Sequence, residues 1–136
     1  MIRLPPPGGS TSSSGMGTFH VSIEVGDVAG ARFVSMQALV DTGAAYTWIP
    51  REVLDPLGVT PEEEWPFVLA DGREVQYWVA WTQIKLGRRA RPTIVVFGDR
   101  GSQPLLGAYT LEGFRLAADP VNQRLISVPG LLLSAS

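Results

Sequence analysis

Apolar and polar residues alternate along Phe19-His20-Val21-Ser22-Ile23-Glu24-Val25, the period-two pattern of a strand with one buried face. Gly26-Asp27 and Gly30 mark a turn. Ala31–Val40 then reads as a second strand, entering a core at Leu39-Val40. Asp41-Thr42-Gly43-Ala44 interrupts the run, and Ala45–Ile49 resumes it. Pro50 suits the first position of a short helix through Arg51–Leu54 that ends at Gly58. Thr60-Pro61-Glu62-Glu63 has the residues of a helix start, with Thr60 as N-cap and Glu63 three positions on. The triplet Glu62-Glu63-Glu64 accordingly reads as a solvated helical turn, because no further oxygen ligands stand at calcium-loop spacing. Phe67–Ala70 and Arg73–Tyr77 flank Asp71-Gly72, a two-residue hairpin signal, and Trp78–Leu86 continues as β. Gly87–Pro92 reads as a turn, Thr93–Phe97 as a buried strand and Gly98–Ser102 as a loop. Pro104-Leu105-Leu106-Gly107 leads into a short helix over Ala108–Phe114, closed by Gly113. Arg115–Asp119 and Gln123–Val128 form a last hairpin. The pattern predicts an all-β fold with one or two short helices, and 15 glycines and 11 prolines supply the many turns it needs.

The chain has 136 residues, 45% of them hydrophobic, which is the size of one domain with a real core. Residues 1–17, rich in Pro, Gly and Ser, have the composition of a flexible arm or of a linker in a longer chain, and the domain is expected over 18–136. A net charge of −2 leaves no electrostatic footprint for nucleic acid. The three arginines of Arg88-Arg89-Ala90-Arg91 therefore read as an exposed basic turn. No apolar run approaches the span of a bilayer, so no membrane partner is expected. With no cysteine and no apolar leader, the expected location is cytoplasmic. The absence of cysteine also excludes thiol nucleophiles and Cys-ligated zinc, and the single histidine, His20, excludes multi-His metal sites. His20 falls on the polar face of the first strand. No metal and no cofactor are expected.

Two fragments carry the candidate chemistry. Asp41-Thr42-Gly43-Ala44 follows the apolar pair Leu39-Val40 and precedes another β run, which frames a partly desolvated carboxylate. Leu105-Leu106-Gly107 stands far downstream, before a short helix. Asp-Thr-Gly alone also fits a plain surface turn.

Together the two fragments resemble the signature of the single-lobed, retroviral-type aspartic proteases and their cellular and bacterial relatives. Leu111-Glu112, Asp119-Pro120 and Leu125-Ile126 extend the resemblance, which covers about residues 18–128. It implies an acid-protease-like closed barrel with a ψ-shaped loop, in which Leu105-Leu106-Gly107 passes beneath the Asp41 turn. It also implies an aspartic endopeptidase. Only one Asp-Thr-Gly is present, so a pair of carboxylates requires a symmetric homodimer with one Asp41 from each subunit. The pair shares a proton and activates a water, one carboxylate acting as base and the other as acid, which implies a bell-shaped pH dependence with an acid-side optimum. Thr42 would hydrogen-bond across the dimer, and the N–H of Gly43 would hold the carboxylate, with Ala44 completing the turn. The substrate would be an extended peptide or protein segment beneath a flap.

The flap candidate is about Arg73–Lys85, with Tyr77-Trp78-Val79-Ala80 near its tip and Trp81 beyond. That tip has no glycine. Strand alternation puts Trp78 and Ala80 on one face and Tyr77, Val79 and Trp81 on the other. Trp78, nearer the expected tip, is favoured to cover the cleft. Leu131-Leu132-Leu133 offers an apolar segment for the dimer interface. A glycine-free flap leaves a second reading open, a non-catalytic dimeric module that binds a peptide or small ligand on the same fold.

Overall fold

The computed structural model describes residues 18–129; the expected arm over 1–17 and the Leu131-Leu132-Leu133 segment lie outside the described residues. The alternation of the first strand is realised in β1 (Thr18–Gly26), where Phe19, Ile23 and Val25 are buried and His20 is exposed. β1 pairs antiparallel with β2 (Phe33–Asp41) along its whole length. β3 (Thr47–Pro50) follows the Asp41 turn and passes directly into α1 (Arg51–Leu54). β4 (Glu63–Val68) and β5 (Glu74–Leu86) form a hairpin, and β6 (Arg89–Gly98) returns beside β5. β7 (Leu105–Leu106) leads into α2 (Ala108–Gly113), and β8 (Leu116–Asp119) pairs with β9 (Arg124–Ser127) as a separate hairpin.

The large sheet runs β1-β2-β7-β3-β6-β5-β4, and β1 also pairs with β5 through Glu24–Lys85 and Val25–Ile84. That last pairing closes six strands into a ring, the closed barrel expected from the sequence. One edge of β5 belongs to β6 over Val79–Leu86. Its other edge is divided, with β4 against Glu74–Val79 and β1 against Glu24's and Val25's partners farther on. The β4–β5 hairpin thus projects beyond the ring, because Glu74–Trp78 are paired with β4 alone.

The ring separates two apolar clusters. Ile23, Val25, Val40, Ile49, Ala80, Ile84, Val95, Phe97 and Leu106 fill its interior. Trp48, Phe67, Val79, Val96 and Leu105 form a second cluster, with Leu39 and Tyr77 packed against it. Successive strand residues point to opposite faces, so the two clusters lie on opposite faces of the sheet. Every residue of β3 is buried, because its two faces serve the two clusters.

Several local expectations are corrected. Thr60–Glu63 starts no helix: Glu63 opens β4, and the Glu62 N–H donates to the Val79 carbonyl at 2.9 Å. Pairing with β5 outweighs a capping signal of about 1 kcal/mol, and the acidic triplet becomes strand. Pro50 is the N-cap residue of α1 rather than its first helical position, since its extended backbone still belongs to β3. The Gly87–Pro92 turn shrinks to Gly87-Arg88, with Leu86 opposite Arg89. The left-handed residue after α2 is Arg115 (φ 56°), not Gly113. The hairpin loop at Asp71-Gly72 has three residues, Ala70 to Gly72, because Leu69 already donates to the Arg73 carbonyl at 2.7 Å.

Candidate active site

Asp41 is the last residue of β2, and the geometry around it follows from a strand threaded between two others. Leu39 and Val40 pair parallel with Leu105 and Leu106, while Trp48 on β3 pairs antiparallel with Leu105. β7 therefore lies between β2 and β3, the two strands that the Asp41 turn connects. This is the ψ-loop expected from the sequence. It brings Asp41-Thr42-Gly43-Ala44 and Leu105-Leu106-Gly107 together.

Hydrogen bonds lock the crossing. The Leu39 N–H donates to the Pro104 carbonyl at 2.9 Å on one side. On the other, the N–H groups of Ala108 and Tyr109 donate to the carbonyls of Ala44 and Ala45, each at 2.9 Å. Gly107 must be a glycine for reasons of space. A Cβ there would sit 2.5 Å from the Tyr46 carbonyl carbon and 3.0 Å from the Ala44 oxygen.

The Asp41 carboxylate is half-buried and oriented by its own turn. Its Oδ1 accepts the Gly43 N–H at 2.9 Å, and the Ala44 N–H closes the turn on the Asp41 carbonyl at 3.0 Å. Gly43 thus occupies the place expected of it. Thr42 is exposed, and Ala44, Leu105 and Leu106 are buried. By strand alternation Asp41 shares the face of Leu39, and hence the side of the second apolar cluster, over which the hairpin packs. The carboxylate and the hairpin are on one side of the sheet.

The hairpin corrects the flap expectation. Tyr77, Trp78, Val79, Ala80 and Trp81 all lie within the continuous strand β5, and the tip is Ala70-Asp71-Gly72. Gly72 (φ 91°) takes the left-handed position of the turn, so the tip does contain a glycine. Asp71 braces it by accepting the Arg73 N–H and side-chain Nε–H, and these donors hold its carboxyl below the ordinary range.

Tyr77 and Val79 face the ψ-loop cluster, and Trp48 meets the Tyr77 and Phe67 rings edge-on at centroid distances of 4.9 and 5.0 Å. The Tyr77 hydroxyl donates to Asp99 Oδ2 at 3.1 Å, tying the hairpin to the loop before β7. Burial and that hydrogen bond both raise the Tyr77 hydroxyl above its usual range. Trp78, favoured as cleft cover, stands on the opposite, outer face and is 41% exposed. Val79 and Ala80 are both buried, since at this point β5 passes from the second cluster into the barrel interior. Trp81 shares the face of Tyr77 and remains exposed.

Sequence reasoning misses a buried hydroxyl chain under the ψ-loop. The Thr110 hydroxyl shares hydrogen bonds with those of Thr47 at 2.6 Å and Thr93 at 2.9 Å, and Thr47 Oγ1 accepts the Gly107 N–H at 3.1 Å. The available signal is weak: a threonine next to a run of apolar strand residues, at Thr47-Trp48-Ile49 and Thr93-Ile94-Val95. Thr110→Val should lower stability by about 1–3 kcal/mol, because two buried hydroxyls lose a partner. A urea unfolding midpoint checks this, and Thr110→Ser should stay near the parent. Equal stability of the Val variant would show that the hydroxyl chain does not support the crossing.

The family model described as "gag-polyprotein putative aspartyl protease" matches residues 22–113, which spans both arms of the ψ-loop. The chain belongs to this family of gag-type aspartyl proteases. The family match is therefore of the retroviral type that the two motifs suggest. No curated protein matches the chain. Among solved structures, it is similar to a Legionella pneumophila protein of unknown function (20% identity, 72% of this chain, 88% of the other, TM-score 0.49). It is also similar to a retropepsin-like aspartic protease from Rickettsia conorii (20% identity, 75% of this chain, 87% of the other, TM-score 0.48). No helix among the described residues of this aspartyl protease family member is long and apolar enough to cross a membrane.

Proposed function

We propose that the protein is an aspartic endopeptidase that works as a symmetric homodimer, each subunit supplying one Asp41. The observation that carries this reading is the oriented Asp41 carboxylate at the ψ-loop turn, held through Oδ1 by the Gly43 N–H. A water held between two such carboxylates loses its proton to one of them as it attacks the peptide carbonyl. The other protonates the carbonyl oxygen, and the resulting diol collapses with the proton passing to the leaving amine. No metal and no cofactor enter this chemistry. Thr42 is exposed beside Asp41, and in this reading it bonds with its counterpart across the two-fold axis.

The β4–β5 hairpin serves as the flap, with Gly72 at its tip. An extended peptide lies beside the Asp41 turn and adds strand-type hydrogen bonds. The binding-module alternative rests on a glycine-free flap, and a flap with its tip at Asp71-Gly72 carries a glycine. Incubation with a diverse peptide library, with Asp41→Asn as control, tests the activity.

The dimer has its own signature. Below the dimer dissociation constant the rate should fall with about the square of protein concentration, since a monomer holds half a site. Activity assays beside sedimentation over the same dilution series check this. Full specific activity in a preparation that sediments as monomer would remove the shared dyad.

A further inference from the structure

We propose a second recognition site on the Asp41 side of the sheet: an aromatic cleft with an acidic rim that takes a basic side chain. It is lined by Val79, Ile94, Trp65 and Trp81. Register places these residues on one face, because Trp65 stands opposite Tyr77, and Trp81 opposite Ile94. Two further rings come from the ψ-loop itself. Tyr46 meets Trp65 at 5.4 Å and Tyr109 at 5.7 Å, and Tyr109 meets Trp81 at 6.3 Å. Four rings thus run in series from Trp65 to Trp81. Trp81 and Tyr109 are each 42% exposed, an unusual outlay of aromatic surface for side chains with no core role.

The rim supplies the charge. Glu62 and Glu63 line the same cleft. Each is fixed by a hydrogen bond from a lining residue: the Trp81 backbone N–H donates to Glu62 Oε2 at 3.3 Å, and the Trp65 indole N–H donates to Glu63 Oε1 at 2.7 Å. Among the described residues, no Lys or Arg forms an ion pair with Glu62, Glu63 or Glu64. Oriented carboxylates without a cation, above the negative faces of aromatic rings, are the chemistry that binds an ammonium or guanidinium group. A neutral apolar side chain would use the rings but leave the carboxylates' field unmatched. The cleft is open to solvent, so a cation on a methylene stem can enter it from a bound chain.

That the basic side chain belongs to a bound peptide rests on the endopeptidase reading; the cation preference of the cleft does not. The test separates them. Nα-acetyl-lysine methylamide is titrated into the full chain and into its Asp41→Asn variant, and the indole N–H signals of Trp48, Trp65, Trp78 and Trp81 are followed by NMR. The Trp65 and Trp81 signals should move in both proteins, and those of Trp48 and Trp78 should not. The norleucine analogue should move them little. Glu63→Gln keeps the acceptor for the Trp65 indole but removes the charge, and should weaken lysine binding about threefold. Equal shifts with norleucine, or no shift at Trp65 and Trp81, would overturn the proposal. Lysine binding by a protein that cleaves no peptide would keep the site and remove the endopeptidase reading. Cleavage with no lysine preference, in a protein whose tryptophan signals ignore the probe, would do the reverse.

Discussion

Asp41→Asn should abolish peptide hydrolysis while leaving the fold and the dimer in place. The loss should be about 10⁴-fold or more, because in the proposed dimer the substitution removes general base and general acid together. Asparagine keeps the shape of the side chain, and its amide oxygen can still accept the Gly43 N–H that orients Oδ1 in the parent. The half-buried position costs a neutral amide no more than a carboxylate. Stability should therefore stay within about 0.5 kcal/mol of the parent, as for a substitution that disturbs no core packing. Hydrolysis of a fluorogenic peptide, a urea midpoint and sedimentation on the same samples give the three readings. A variant that cleaves as fast as the parent would mean that Asp41 is only a turn residue. Loss of fold along with activity would mean that the charge has a structural role which the single N–H contact does not suggest.

The features most legible in the sequence are those with a local cause. The alternation of Phe19–Val25 gives β1 and the Asp71-Gly72 dipeptide gives the hairpin turn, whereas the ψ-loop follows from the resemblance of the two motif fragments to a known family. Asp41 and Gly107 are named by that same resemblance, and in the structure the apolar pairs beside them pair with each other. What is not legible depends on which neighbour reaches a residue first. Thr60–Glu63 has a sound capping pattern, yet β5 offers Glu63 and Glu64 a full strand partner, and pairing wins. The flap is displaced for a related reason. Tyr77–Trp81 shows no break in its β character, and the turn signal lies earlier, at Gly72; a tip near Tyr77 requires a turn where the chain has none. The faces of β5 are harder still. Alternation fixes that Trp78 and Trp81 oppose each other, but not that the buried face changes between Val79 and Ala80. That change comes from β5 having β4 on one edge for its first half and the closed ring for its second. Thr47, Thr93 and Thr110 are hidden for a simpler reason: threonine suits a strand whether its hydroxyl meets water or another hydroxyl.

Gly107→Ala should cost about 4–6 kcal/mol of stability and take the activity with it. The backbone of Gly107 is ordinary (φ −96°, ψ 174°), so a side chain would meet no conformational penalty there. The penalty is spatial. The new methyl would sit 2.5 Å from the Tyr46 carbonyl carbon, and the obstruction is backbone, which no rotamer change can move. Relief requires β7 and the start of α2 to withdraw from the Asp41 turn. Withdrawal stretches three hydrogen bonds at once: Gly107 N–H to Thr47, Ala108 N–H to Ala44, and Tyr109 N–H to Ala45. At about 1 kcal/mol each, added to overpacking strain of about 1–3 kcal/mol, this is a large share of the 5–15 kcal/mol that typically holds a domain together. Gly72→Ala gives the contrast. Nothing lies within 4 Å of a Cβ at Gly72, and its φ of 91° is the only obstacle, so the cost should be about 1–2 kcal/mol and confined to the hairpin. Urea midpoints of the two variants, measured beside the parent, separate a glycine required by space from one required by conformation. A Gly107→Ala protein as stable as the parent would mean that the strand does not pass beneath the Asp41 turn at van der Waals contact, and the support for the oriented carboxylate would go with it.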